Sequence, residues 1–174
     1  MNVSILLADR GTPNPQARTL NLLNVGWTHT FLRPAPVPSK EAEAGSAVQL
    51  ITAPFVVAVF YEVEPKHCNH SLELKLSLLT EDGKPVELPS PSGVQPMVLV
   101  QRILVPSLPL VPIGSPGVAN TMIEIVPGLP LSPGTYSWVV ELAGEQNPNW
   151  HARFYVLPPQ QQPQIVFSPS KPGV

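Results

Sequence analysis

Proline is the feature that most restricts the fold of this chain, because it accounts for 24 of the 174 residues. A proline inside a helix removes a backbone hydrogen bond and costs about 3 kcal/mol. The prolines are spread along most of the chain, so they exclude a bundle of long helices. They do not by themselves predict disorder, since hydrophobic residues make up 43% of the sequence and are gathered in runs between the prolines.

The hydrophobic runs are typical of short β-strands. In residues 71–78, four leucines alternate with polar residues, which is the period of a half-buried strand. The same alternation recurs in residues 135–142 and 152–156, and residues 144–150 are predicted to join these two strands as a hairpin with a long loop. Other runs are more uniformly apolar and are bounded by Pro, Gly or Asn: residues 3–8, 20–25 continuing toward Phe31, 55–61, 97–104 and 122–126.

These runs predict an all-β protein. About eight short strands with no convincing helix indicate an antiparallel β-sandwich, immunoglobulin-like or related. We assign the sandwich to residues 1–157. Nine side chains on the alternating strands are predicted to face its core: Leu72, Leu74, Leu76, Leu78, Tyr136, Trp138, Val140, Phe154 and Val156.

Three segments are predicted to be irregular: residues 10–18, 33–52 and 105–118. In the last of these, a proline recurs every three to four residues among Leu, Val and Ile. That spacing favours an extended, polyproline-like strap with an apolar face. Such a strap is predicted to cross from one sheet to the other, or to cover a sheet edge.

Residues 158–174 form a Pro/Gln-rich tail that cannot build a core, yet it carries the apolar triplet Ile165, Val166 and Phe167. The triplet either folds back on its own domain or docks on a neighbouring chain, by adding a strand or by filling a groove. We predict contact with another chain. Trp150 follows Asn-Pro-Asn and is predicted at a loop tip, where it either binds a partner or packs and fastens the hairpin.

Charge and composition restrict the partners. The net charge is −2, and no two of the ten basic residues are adjacent, so the chain lacks the basic patch that binds nucleic acid. Residues 1–10 lack the pattern of a signal peptide, and no run approaches the roughly 18 apolar residues of a membrane span. We therefore expect a cytoplasmic protein, or a virion protein after intracellular assembly, whose partners are other protein chains rather than nucleic acid or membrane.

Motifs for catalysis or cofactor binding are absent from the sequence. It contains neither a G-x-S-x-G motif nor a glycine-rich phosphate loop, and it has only two aspartates. His67, Cys68 and His70 could bind zinc, but the other histidines, His29 and His151, are distant in sequence. We predict no metal, no cofactor and no enzymatic activity.

Four motifs follow one another in a characteristic order. They are an opening strand at Ile5–Asp9, a strand leading to Gly26-Trp27, an alternating strand with an Asp-Gly turn over Leu74–Val86, and a Pro-Gly-Tyr-Trp signature within Leu129–Trp138. This order, over residues 3–157, resembles a family of small, uncharacterised bacterial and phage-borne β-sandwich proteins. The resemblance implies an immunoglobulin-like or related sandwich and no assigned catalytic residues.

Two functional hypotheses follow. The first is a non-catalytic structural or assembly protein, such as a capsid, decoration or tail component of a virion, since straps and arms bury surface mainly on neighbouring chains. The alternative is a cytoplasmic bacterial binding or accessory module whose ligand contacts the loops at one end of the sandwich.

Overall fold

The computed structural model describes residues 1–14, 18–36, 49–107, 111–112 and 114–160. Within these ranges the chain forms β-strands and one 3₁₀ turn, Pro65–His67. The thirteen strands found there are β1 (Asn2–Ala8), β2 (Arg10–Asn14), β3 (Thr19–Leu23), β4 (His29–Pro34), β5 (Leu50–Thr52), β6 (Phe55–Val63), β7 (Ser71–Thr80), β8 (Glu87–Ser90), β9 (Gly93–Pro96), β10 (Val98–Leu104), β11 (Gly117–Ile125), β12 (Gly134–Leu142) and β13 (Glu145–Leu157).

Two sheets pack face to face and confirm the predicted all-β sandwich. One has three strands in the order β1-β6-β11, and the other has six in the order β10-β7-β12-β13-β4-β5. Two hairpins, β2–β3 and β8–β9, lie outside these sheets. The pairing is antiparallel except between β13 and β4, which run parallel with Tyr155 opposite His29. The sandwich is therefore antiparallel with one parallel pair.

The strand order is that of an immunoglobulin-type sandwich. β1, β6 and β11 are neighbours as strands A, B and E are in that fold, while β7, β12 and β13 correspond to C, F and G, and β10 to the added strand C′. β10 belongs to the six-stranded sheet and β11 to the three-stranded one; of the proline-rich residues between them, 108–110 and 113 lie outside the described residues. Gly117 and Val118, which were predicted to be irregular, begin β11 instead, and whether the strap also covers a sheet edge stays a prediction.

A tyrosine corner marks the start of β12. The Tyr136 hydroxyl donates a hydrogen bond to the Ser132 carbonyl, four residues earlier, at 2.9 Å. This contact is a hallmark of immunoglobulin-type sandwiches. Trp138, two residues further along, has no exposed surface. The Pro-Gly-Tyr-Trp signature of the sequence therefore forms the corner and delivers a tryptophan into the core.

All nine side chains predicted to face inward are buried. Aromatic rings close one end of the core, where Phe154 stacks on Tyr136 with ring centroids 5.8 Å apart. Trp27 packs edge-on against Phe55 and Phe154 at 5.5 and 5.9 Å, and it is partly buried. Burial of each large apolar side chain contributes about 1.5–3 kcal/mol, so this shared interior is the main source of stability.

The β2–β3 hairpin adds a third layer that the sequence did not predict. Residues 10–14 were expected to be irregular, but they form β2 and pair with β3, with Thr12 opposite Asn21. The hairpin lies on the outer face of the three-stranded sheet. Val56 and Ala58 point to that face, because they alternate along β6 with the side chains that face the core, and both are buried. A Cβ at Gly11 would meet the sulfur of Met122, so the two layers are in close contact.

The hairpin between β12 and β13 differs from the prediction. The connection is a two-residue turn at Ala143 and Gly144, with φ of 52° and 80°, the positive values of a type I′ turn. The pairing jumps from Glu141–Gln146 to Val139–His151. The sequence Asn-Pro-Asn was interpreted as a loop, but it forms a bulge inside β13, where a proline needs no ladder hydrogen bond.

The predicted irregular segment 33–52 contains strand at both ends. Residues 33 and 34 end β4, and Leu50–Thr52 form β5, which pairs antiparallel with β4. β13 ends at Leu157, and residues 158–160 that follow it are exposed and outside any strand. The predicted tail beyond residue 160 lies outside the described residues, so the domain boundary at residue 157 stays a prediction.

Candidate functional site

Strand β10 lies at one edge of the six-stranded sheet and carries exposed apolar side chains. Within the described residues it pairs with β7 on one side only. Val100 is 59% exposed and Leu104 is 62% exposed. Proteins usually protect such edges with charges, prolines or a covering segment, because the free backbone groups of an edge can pair with another chain. We call the strand Val98–Leu104 the β10 edge.

The two faces of the β10 edge differ in character. Leu99, Gln101 and Ile103 stand opposite the buried leucines of β7 and share their face of the sheet; Ile103 is buried, Leu99 is half-buried and Gln101 is exposed. The other four residues stand opposite Ser77, Lys75, Glu73 and Ser71, on the outer face. The outer face thus changes from polar on β7 to largely apolar on β10: Val98, Val100, Arg102 and Leu104.

A cleft of about 290 Å³ runs beside the β10 edge, between it and β11 of the other sheet. It is lined by Leu74, Leu76, Leu99, Val100, Gln101 and Ile123. The hydroxyl of Thr121 on β11 donates to Oε1 of Gln101 across the gap at 3.2 Å. The edge therefore offers backbone hydrogen-bonding groups together with an apolar lining, which suits the binding of an extended protein segment.

A second cleft, of about 800 Å³, lies at one end of the sandwich. Its lining includes Thr80, Asp82, Lys84 and Tyr136, and we call it the end cleft. Nζ of Lys84 lies 2.8 Å from Oδ2 of Asp82. Hydrogen bonds from Lys84 and from the Thr80 hydroxyl stabilise the carboxylate and lower the pKa of Asp82 to about 2, while Asp82 raises the pKa of Lys84. Both groups stay charged near neutral pH, which suits polar recognition better than proton transfer.

The segment with His67, Cys68 and His70 has a structural role. Residues 65–67 form the 3₁₀ turn between the two sheets, and the Cys68 thiol is buried in the core with its sulfur 3.8 Å from the Glu64 carbonyl oxygen. Lys66 pairs with the exposed Glu64 at 2.7 Å. Among the described residues, no three His, Cys, Asp or Glu side chains form a group that could hold a metal ion.

Trp150 is placed differently from the prediction. It lies within β13, not at a loop tip, and is only 4% exposed. Its side chain packs in the core next to the bulge, so of the two alternatives the packed one holds, and a partner cannot reach the indole in this structure. The other predicted partner-binding residues, Ile165, Val166 and Phe167, lie outside the described residues.

The sequence did not single out Val100 and Leu104. The run 97–104 was interpreted only as an apolar strand, and periodicity does not separate a central strand from an edge strand. One signal was present: Gln101 and Arg102 interrupt the apolar run, and polar residues within a strand are a common mark of a sheet edge.

No protein-family model matches this chain, and no curated protein matches it in sequence. The resemblance to small bacterial and phage-borne proteins therefore stays a prediction. None of the helical structure within the described ranges has the length and apolar character needed to cross a bilayer.

Proposed function

We propose that this chain is a non-catalytic structural or assembly protein that acts through contacts with other protein chains. The observation that carries the proposal is the β10 edge, where Val100 and Leu104 are both more than half exposed on a strand that pairs with only one neighbour among the described residues. Apolar side chains beside unpaired backbone groups form a surface on which an added strand gains both hydrogen bonds and burial.

A virion component, such as a capsid, decoration or tail protein, is the particular form of assembly protein that we propose. An immunoglobulin-type sandwich of two open sheets presents four edge strands and two sets of end loops, and it can contact several neighbours at once. The apolar triplet in the tail adds a further contact in each copy. Weak contacts of this kind become effective in a symmetric assembly, where every copy makes all of them.

The proposal is tested by measuring mass in solution. Light scattering over a concentration series is expected to give the full chain a mass above its 18.8 kDa. A double substitution, Val100→Ser with Leu104→Ser, is expected to shift the mass toward the monomer. Val118→Ser on β11 is the control, because Val118 is 60% exposed on a different strand. A monomer at all concentrations, unchanged by the double substitution, would contradict self-assembly through this edge.

The end cleft supports a second candidate function, a cytoplasmic binding or accessory module. The cleft combines the charged pair Asp82–Lys84 with apolar lining residues such as Val86 and Leu131, so it offers both polar and apolar contacts to a ligand. A binding module of this kind works as a single chain. A monomeric full-length protein would therefore favour this second function.

A further inference from the structure

We infer that the β10 edge pairs antiparallel with the β10 edge of a second copy, around a two-fold axis that passes beside Gln101. This inference rests on the proposed assembly function and names its partner and its register. The two six-stranded sheets would join into one continuous sheet. The argument comes from the order of side chains along Val98–Leu104 and from their exposure.

The sequence of β10 is close to symmetric in residue type about its central residue. In an antiparallel pair centred on Gln101, Val98 stands opposite the partner's Leu104, and Leu99 opposite the partner's Ile103. Apolar residues therefore meet apolar residues near both ends, and glutamine meets glutamine in the middle. Directly opposed side chains in an antiparallel pair share a face and make contact, so this register matches residue types at every position except Val100 and Arg102, which stand opposite each other.

The charges also fit this register. Arg102, the only charged residue of β10, stands opposite the partner's Val100 and not opposite its own copy. Like charges directly opposite one another destabilise a strand pair, and the two-fold register avoids that contact. Within its own chain Arg102 stands beside Glu73 of β7, and Val100 stands beside Lys75. Across the joined sheet, these directly opposed side chains therefore never place two like charges next to each other.

Burial gives the pairing its driving force. Val100 and Leu104 are the most exposed apolar residues on the outer face of the six-stranded sheet, and each copy brings both to the joint. A two-fold contact uses the same patch on both chains, so the four exposed side chains come together at one interface. The pairing also provides partners for the backbone groups of β10 that no strand in the described part of the chain reaches, in both copies.

The first experiment fixes the register by a disulfide. In an antiparallel pair, directly opposed Cα atoms lie about 4.5–5.5 Å apart. A disulfide spans about 4.4–6.8 Å. Gln101→Cys is therefore expected to form a covalent dimer of the full chain under mild oxidation. Val118→Cys on β11 and the unaltered chain, whose Cys68 is buried, serve as controls and are expected to remain without a disulfide dimer.

The second experiment uses two charge substitutions at one position. Val100→Lys places an ammonium opposite the partner's Arg102 twice in each dimer and is expected to raise the dimer dissociation constant at least about tenfold. Val100→Glu places a carboxylate opposite the same arginine and is expected to keep the dissociation constant within about threefold. Raising the salt concentration should weaken the Val100→Glu dimer by screening its new charge pairs.

The outcomes separate this inference from the proposed function. A monomeric full chain, equal weakening by Val100→Lys and Val100→Glu, or no disulfide from Gln101→Cys would each overturn the two-fold register. If the chain still assembles in such a case, the assembly function stands and another surface carries it. Loss of the dimer on deletion of residues 160–174 would also overturn the inference, because it would indicate that the tail of one chain, and not a second β10 strand, binds the β10 edge.

Discussion

Thr52 and Leu129 hold two distant segments together by a reciprocal pair of hydrogen bonds. The Thr52 N–H donates to the Leu129 carbonyl at 2.9 Å, and the Leu129 N–H donates to the Thr52 hydroxyl oxygen at 3.0 Å. The Thr52 side chain is fully buried. These bonds tie the short edge strand β5 to the segment that leads into the tyrosine corner, and they satisfy backbone groups that no neighbouring strand reaches.

Substitution of Thr52 tests the value of this contact. Thr52→Val keeps the shape of the side chain but leaves the buried Leu129 N–H without its acceptor, so we expect a loss of about 1–3 kcal/mol of stability. Thr52→Ser keeps the hydroxyl and loses one methyl group, at a cost of about 1 kcal/mol. Urea unfolding measures both variants. If serine is as harmful as valine, the hydrogen bond is not the source of the effect.

Gly128 precedes Leu129 and lies in close contact with Thr52. Its φ is +133°, and a Cβ there would overlap the carbonyl oxygen of Thr52, a backbone atom held in place by the sheet. We expect Gly128→Ala to cost at least about 3 kcal/mol. Gly83 is the matched control, because its φ is +77° but no atom lies within 4 Å of its Cβ position. Gly83→Ala should cost only about 1–2 kcal/mol, as a residue in the left-handed region. Equal losses in thermal unfolding would contradict this account.

The strands that a period-2 pattern marks were predicted correctly from sequence, and the strands that depend on tertiary contacts were not. The leucines of β7 alternate cleanly, because one face is buried and the other meets water. β2 carries little apolar periodicity and becomes a strand only because β3 pairs with it above the three-stranded sheet. The bulge around Pro148 was interpreted as a loop, because proline is a strong turn signal when the pairing of its neighbours is unknown.

Leu76 tests the core. It is 1% exposed and stands opposite Val140 on β12 and Leu99 on β10. Leu76→Ala is expected to cost about 2–5 kcal/mol, a large part of the roughly 5–15 kcal/mol that stabilises a typical domain. Val118→Ala on the exposed face of β11 should change stability by no more than about 0.5 kcal/mol. Similar losses for both variants in urea unfolding would show that the position of Leu76 is not core.

Asp82 is predicted to contribute to the loss of folding stability at acid pH. Its folded pKa of about 2 lies below the ordinary value of 3.8, because Lys84 and Thr80 hydrogen-bond the carboxylate. The folded state therefore binds this proton less readily than the unfolded state. The contribution is present above pH 3.8 and is lost as the pH falls toward 2.

Two substitutions measure this contribution. Asp82→Asn should flatten the decline of the melting temperature over that pH interval. Lys84→Gln should move the pKa of Asp82 upward, toward 3.8, in a carboxyl NMR titration. A pKa that is unaffected by Lys84→Gln would show that the ion pair is not formed in solution.

Most of the candidate site escaped sequence analysis for one physical reason. Exposure of Val100 and Leu104 follows from the position of β10 at the end of the sheet, and strand order is set by long-range pairing that a single sequence does not reveal. The inward-facing residues of β7, in contrast, could be identified from the local alternation of apolar and polar residues alone. Trp150 was misplaced because its burial depends on the bulge in β13, which forms only against β12.

The last prediction concerns the tail. The last described strand ends at Leu157, its last fully buried side chain is Val156, and residues 158–160 are exposed. Deleting residues 160–174 is expected to leave the melting temperature unchanged and to weaken assembly beyond the β10 dimer. Assembly is expected to weaken because the deletion removes the triplet Ile165–Phe167. Each of its side chains, if buried against another chain, would contribute about 1.5–3 kcal/mol to the contact.

Docking of one tail is weak, because ordering eight to ten residues costs about 1–2 kcal/mol each and offsets most of the gain from burial. Many copies in one assembly make the contact effective. Deleting only residues 168–174 keeps the triplet and is the matched control, which should assemble like the full chain. Light scattering and thermal unfolding measure the three proteins side by side. If removal of residues 160–174 unfolds the protein, the triplet packs on its own domain, and the alternative in which the tail folds back is the correct one.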